Sequence, residues 1–342
     1  MKPFRYLFLT LGLVLFGLVF AKSDLRAVVN HVRGLGWTGA LGIPAVSLLP
    51  FLADTLSWQI VFAPPQPGWS WFTRLWKVRM VASAISKLTP AVGVAGEPIK
   101  AVMLKRIYGL PYREGVPSLV LAKTANLIAF LIFVGIGMAL TFAGNRLPDG
   151  YRLAAAVGFA VLAVGIGAMF AMQRLRMSSA LGAWFSRRRF GRPINRILHH
   201  LNDMDDRLVH AYTRDRARFL SATLLAFLYW ILGAVELYLI FWFLGHPITV
   251  GETIAIAAMV ELVRAGTFFI PASIGAEEAT LAVMVTAITG EAGLGLAVAF
   301  VRRYRELLWI GVGFVIAWRI TDRSRQPIGT LLRASEAERF SA

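Results

Sequence analysis

Apolar runs of about 20 residues recur along this chain, and they decide which solvent it folds in before any motif is read. The complete runs extend from about Phe4 to Ala21, Trp37 to Ala63, Val116 to Phe142, Leu153 to Met172, Phe219 to Leu244, and Leu294 to Trp318. Each reaches the roughly 17 to 25 residues that a tilted transmembrane helix needs, or slightly more. In hydrocarbon every backbone N–H and C=O must be satisfied within the segment, so runs of this kind are helices. Composition agrees, with 57% apolar and only 16% charged residues. The expectation is an all-α, polytopic transmembrane helix bundle with about six full spans. It forms a single domain over residues 1–320, followed by a tail over 321–342. Lys2 and Arg5 give the first run the look of a signal peptide. The small-residue cleavage pattern at Val19-Phe20-Ala21 is weak and many spans follow, so an uncleaved first span is expected.

Two further apolar stretches, Met80 to Leu104 and Ile254 to Ile288, are interrupted near their middles by Pro and Gly. They read as broken helices or re-entrant hairpins. Orientation follows from the loops, because cytoplasmic loops collect Lys and Arg. The loop over 173–218 holds eleven Arg against four Asp, and five Arg follow from Arg319 onward. Both segments, and by counting crossings the N-terminus, are expected inside. The connections Gly245 to Gly251 and Thr289 to Gly293 hold no Lys or Arg and are expected outside. The first broken stretch then leaves from and returns to the cytoplasm, the second the outside, so they are oppositely oriented. The net charge of +17 is accounted for by this asymmetry and by anionic lipid, with no nucleic-acid partner implied. The chain has no Cys, and its five His are scattered, which disfavours thiol chemistry and a zinc enzyme.

The broken stretches resemble each other. Pro90-Ala91, Ala95, Glu97 and Ala101-Val102-Met103 align without gaps on Pro271-Ala272, Ala276, Glu278 and Ala282-Val283-Met284. Proline removes a backbone donor and glycine permits sharp turns, so each motif breaks a helix. Backbone groups freed inside a membrane must line protein or a water-filled cavity. Broken helices at corresponding, oppositely oriented positions are the pattern of an inverted repeat around a midplane substrate site. A carboxylate near the bilayer centre costs about 2.5 to 3.5 kcal/mol on insertion scales, so the paired Glu97 and Glu278 point to a role.

Around these breaks lie the candidate substrate-binding or coupling residues: Lys87, Pro90, Gly96, Glu97 and Lys100 at the first, and Arg264, Pro271, Gly275, Glu277 and Glu278 at the second. Arg303 joins them from the last span, whose Arg302-Arg303-Tyr304-Arg305-Glu306 cluster covers more than a helical turn. Lys and Arg are natural partners of a lipid phosphate, and the carboxylates can neutralise them or carry protons. Glu236 lies mid-span, with Arg303 as one candidate partner. No cofactor is called for. Asp203-Met204-Asp205-Asp206 contains an Asp-x-Asp, with His199-His200 nearby, but Ile197, Leu201, Met204 and Leu208 recur at helical spacing. That stretch reads as an amphipathic helix rather than a metal site.

On these residues the chain resembles the lysylphosphatidylglycerol synthase transmembrane-domain family of flippase-like membrane proteins. The first block, Pro90 through Gly96-Glu97 with Lys100, is similar to that family's first-half motif. Pro271 through Glu278-Ala279 is similar to its second-half motif, and Arg303 matches a basic residue in its last helix. The paired Gly of the second motif is replaced here by Ala272 and Ser273, and Lys123 and Asn126 stand where many members carry an acidic-basic pair. The resemblance implies a domain that moves or exposes lipids, and the chain is also similar to members associated with hopanoid biosynthesis. The aminoacyl-transfer domain of bifunctional members has no counterpart here, so aminoacyltransferase activity is not expected. The leading expectation is a lipid transporter or flippase of a bacterial inner membrane. Its partner would be an anionic or polar-headed lipid, and homo-oligomers are compatible with this reading. The alternatives are a membrane enzyme acting on lipid-linked substrates, or a noncatalytic subunit of a biosynthetic complex.

Overall fold

The computed structural model describes residues 29, 31–62, 65–88, 96–144, 149–174 and 215–324. The expected first span, Pro90 with the rest of the first break, most of the basic loop and the tail beyond 324 lie outside the described residues. Within them the chain is helical, with no strand. The helices are α1 (Gly36–Val46), α2 (Leu48–Ile60), α3 (Trp69–Leu88), α4 (Gly96–Tyr108) and α5 (Tyr112–Ala143). They continue as α6 (Asp149–Arg174), α7 (Arg216–Phe243), α8 (Val250–Gly266), α9 (Ala276–Thr289) and α10 (Ala292–Ser324).

The expected span from Trp37 is realised as α1 and α2, joined at Ser47, whose hydroxyl donates to Pro44 O at 2.7 Å. Pro44 has no N–H, which deprives the carbonyl of Ala40 of its intrahelical donor. The Tyr304 hydroxyl supplies one instead, at 3.3 Å. Residues 36–60, α5, residues 152–171 of α6, and α7 are each long and apolar enough to cross a membrane. The expected last span forms α10, whose 33 residues extend about 50 Å at 1.5 Å per residue. Length permits a crossing, but the charges from Arg302 to Glu306 keep α10 out of the apolar class.

The second broken stretch folds as helix, break, helix, and the first contributes α3 and α4. α3 packs on α4, and α8 packs on α9 across the second break. The second break is described in full. Ile270 N–H donates to Thr267 O, a 3₁₀ turn spans Pro271–Ser273, and Gly275 turns the chain into α9 with φ of 84°. Ala272 and Ser273 take φ of 51° and 48°. The left-handed region costs an L residue about 1 to 2 kcal/mol, so this turn is strained at the two positions where the resembled family carries Gly.

α10 packs against both α3 and α9 and so touches both hairpins. Its crossing with α3 depends on Gly313, where a Cβ would meet Ala84 Cβ at 2.6 Å and Met80 O at 2.8 Å. Small residues that let backbones approach this closely are how helices associate where lipid removes the hydrophobic drive. The larger core gathers Phe133, Leu237, Ile240, Phe241, Ile256, Val260 and Leu281, and a second gathers Trp58, Phe62, Leu75 and Leu104. On α6, Leu153, Val157, Val161 and Val164 form an exposed stripe, and Leu220, Leu224 and Leu228 do the same on α7. Such stripes are costly in water and neutral in hydrocarbon.

Candidate functional site

Helical spacing on several elements points polar side chains at one interior space. On α3, Arg79, Ser83, Ser86 and Lys87 recur at i, i+4, i+7 and i+8, which places them on one face. They line a cavity of about 390 Å³ together with Asp54 and Trp58 of α2, Gly96, Glu97 and Lys100 of α4, and Lys123 and Asn126 of α5. Tyr229 and Trp230 of α7, Glu261 and Arg264 of α8, and Ser273 of the second break close it. Phe268, which is 52% exposed, also lines the cavity, so the space reaches the protein surface beside it. The volume lies within the roughly 300 to 1,000 Å³ common for small-molecule sites.

Charge in this cavity is unequal. Five cations, Arg79, Lys87, Lys100, Lys123 and Arg264, face three carboxylates, Asp54, Glu97 and Glu261. Most are paired. Arg79 Nε lies 2.6 Å from Asp54, which also accepts from Asn126 at 3.4 Å. Lys100 lies 2.9 Å from Glu97 and 5.4 Å from the Trp58 ring centroid. Arg264 donates to Glu261 at 3.2 Å. Lys123 differs, with no ion-pair or hydrogen-bond partner among the described residues. The carboxylates whose fields reach it, Glu97 and Asp54, are already engaged by Lys100 and Arg79.

Behind this space lies a second cavity of about 160 Å³, which shares Lys87, Glu261 and Arg264 with the first and adds Glu236, Arg302 and Arg305. Ion pairs knit the wall between the hairpins and α10. Lys87 Nζ lies 2.6 Å from Glu306, and Arg303 bridges Glu306 and Glu278, at 2.6 Å each. Arg302 reaches Glu277 at 3.0 Å and Glu261 at 3.5 Å, while Arg264 approaches Glu277 at 3.9 Å. Arg305 meets Glu236 at 2.6 Å, so it is Arg305 rather than Arg303 that partners the mid-span Glu236. Lys87, Arg264, Arg302, Arg303 and Arg305 thus balance Glu236, Glu261, Glu277, Glu278 and Glu306. Buried ions persist only when paired, and each member of this set faces an opposite charge, while Arg303 Nη2 and Arg305 Nε stay buried without a hydrogen-bond partner among the described residues.

The candidate residues from the sequence divide between these surroundings. Lys87, Gly96, Glu97, Lys100 and Arg264 line the larger cavity. Glu277, Glu278 and Arg303 belong to the ion-paired wall and do not line it. Glu278 is 1% exposed and accepts the Gly275 N–H at 2.7 Å, closing the first turn of α9. Pro271 and Gly275 shape the second break, and Pro90 lies outside the described residues. The sequence-matched Glu97 and Glu278 therefore lie in the first turns of α4 and α9 in unlike settings.

A family model described as Lysylphosphatidylglycerol synthase TM region matches residues 6–313. The chain belongs to this family. Neither a curated protein nor a solved structure matches it. As a lysylphosphatidylglycerol synthase TM-region protein with several apolar helices long enough to cross a bilayer, it is a multi-pass membrane protein of lipid metabolism or transport. In this family member the cavity also takes in Arg79, Lys123, Trp58 and Tyr229, which sequence reasoning did not place among the site candidates. The polar stripe on α3 is a usable signal for Arg79. The neighbours of Lys123 come from other helices, and only their engagement elsewhere distinguishes it.

Proposed function

We propose that this protein is a lipid transporter of the flippase type in a bacterial inner membrane, with both termini cytoplasmic and the two broken helices as halves of an inverted repeat. The 390 Å³ cavity receives the polar headgroup of a phospholipid or related lipid, and the acyl chains stay in the bilayer. The observation that carries this reading is the excess cation of the cavity, Lys123, at a site lined from both hairpins. A phosphate is the anion that a membrane offers in abundance, and Lys binds it as a point charge. The neutral ion-paired wall behind supports the same division of labour: it holds α10 against both hairpins without competing for substrate. Glu97 and Lys100 sit where a headgroup phosphate would open their pair, giving the carboxylate a place in coupling.

The test is movement of headgroup-labelled phosphatidylglycerol and phosphatidylcholine across vesicles containing the purified protein. Protein-dependent movement of the anionic lipid, lowered at least tenfold by Lys123→Met, is expected. Equal movement in protein-free vesicles would end the proposal.

A further inference from the structure

At one end of the bundle three segments far apart in sequence bring together His31, His246 and Glu291. His31 Nε2 lies 3.7 Å from Glu291 Oε2, and His246 Nδ1 lies 3.5 Å from Glu291 Oε1. The three ligand atoms all fall within 4.8 Å of one another, and the two imidazoles meet edge to face at 4.9 Å between centroids. These are two of only five histidines in the chain. The larger cavity and the ion-paired wall use none of the three residues.

The backbone holds two of the ligands in place through helix ends that each turn on a glycine at positive φ. His246 follows Gly245, whose φ of 81° ends α7, and the His246 N–H returns to Phe241 O at 3.1 Å. This six-to-one bond is the Schellman closure. Glu291 follows Gly290, whose φ of 79° ends α9, and the Glu291 N–H donates to the Thr289 hydroxyl at 3.2 Å. His31 starts a turn in which Gly34 N–H bonds its carbonyl at 3.0 Å. The side chains remain open enough for an ion to enter, at 19% exposure for His31, 33% for His246 and 44% for Glu291.

We infer that His31, His246 and Glu291 form a zinc site that clasps the segment before α1, the α7–α8 connection and the α9–α10 turn. Metal–ligand distances of about 2.1 Å in a tetrahedron set neighbouring ligand atoms roughly 3.4 Å apart, and the two imidazoles reach the two oxygens of the one carboxylate at 3.7 and 3.5 Å. Two imidazoles and a carboxylate are a zinc ligand set, and they leave a fourth position for water or an incoming donor. One carboxylate needs only one imidazolium to neutralise it, whereas here both rings aim a nitrogen at the same group. The clasp stands apart from the transport reading and survives its failure.

The test uses the full chain in detergent, stripped with chelator and titrated with Zn²⁺ against a chromophoric competitor. One zinc per chain is expected, with affinity lowered at least tenfold by His31→Ala, His246→Ala or Glu291→Gln and unchanged by His199→Ala/His200→Ala. Zinc is also expected to raise the melting temperature of the parent protein but not of His246→Ala, since a ligand of the folded state stabilises by mass action. Absence of bound zinc, or binding unaffected by His31→Ala/His246→Ala, overturns the inference. So does a melting temperature in the variants that falls equally with and without zinc, which would assign ion pairing alone.

Discussion

Lys87 Nζ lies 2.6 Å from Glu306 Oε1 across 219 residues of sequence, tying the last turn of α3 to the middle of α10. Lys87 lines both cavities, so the pair sets both how α3 is held on α10 and how much charge faces the larger cavity. Lys87→Met is expected to destabilise by about 2 to 3 kcal/mol, below the roughly 3 to 5 kcal/mol of a fully orphaned partner, because Glu306 keeps Arg303. Combined with Glu306→Gln in a thermal unfolding cycle, it should show a coupling above about 1 kcal/mol. Additive single effects would mean that the pair contributes nothing beyond its separate neighbours.

Glu97 and Glu278 occupy matched positions yet should respond differently to amide substitution. The Glu97 side chain is 29% exposed and, among the described residues, pairs with Lys100 three residues on, so Glu97→Gln should cost under about 1 kcal/mol. Glu278 is buried, caps Gly275 and pairs with Arg303, so Glu278→Gln should cost about 2 to 4 kcal/mol. Lipid movement should fall in Glu97→Gln at nearly unchanged melting temperature. A larger melting loss in Glu97→Gln than in Glu278→Gln would reverse the assignment of which carboxylate is structural.

Lys123 has no ion-pair partner among the described residues, so holding a charge there is a cost to the fold. Lys123→Met should therefore stabilise the protein by about 1 kcal/mol while it slows anionic-lipid movement. A merely structural lysine would lower both stability and transport when replaced, so the opposite signs separate the two roles. Lys123→Arg should keep most of the transport.

The second break offers a backbone test. Ala272→Gly and Ser273→Gly each relieve about 1 to 2 kcal/mol of left-handed strain and lose about 0.5 to 1 kcal/mol to the flexibility of glycine. A net gain of about 0.5 to 1 kcal/mol per substitution is expected in thermal unfolding. Destabilisation by both would show that these residues are not held at positive φ.

Much of the architecture is legible from spacing alone. Runs such as Val116 to Phe142 and Phe219 to Leu244 lie almost entirely within α5 and α7, since hydrocarbon leaves the backbone no alternative to a helix. The break after Gly266 is legible because Pro and Gly act locally. The candidate site is only half legible. Lys87, Glu97, Lys100 and Arg264 stand out as charges in apolar runs, and the structure gathers them around one cavity. The same signal singles out Glu277, Glu278 and Arg303, which the structure places in a neutralising wall.

Local sequence is enough to make this chain helical, to carry it across a membrane several times and to break it between Gly266 and Ala276, because periodicity, proline and the cost of unsatisfied backbone act within a few residues. Which charges face each other is set by tertiary packing. Lys87 meets Glu306, Arg305 meets Glu236, and Lys123 meets no ion-pair partner among the described residues, because α3, α5, α7 and α10 approach at particular registers. A charge's role depends on its neighbour, and the neighbour lies tens to hundreds of residues away.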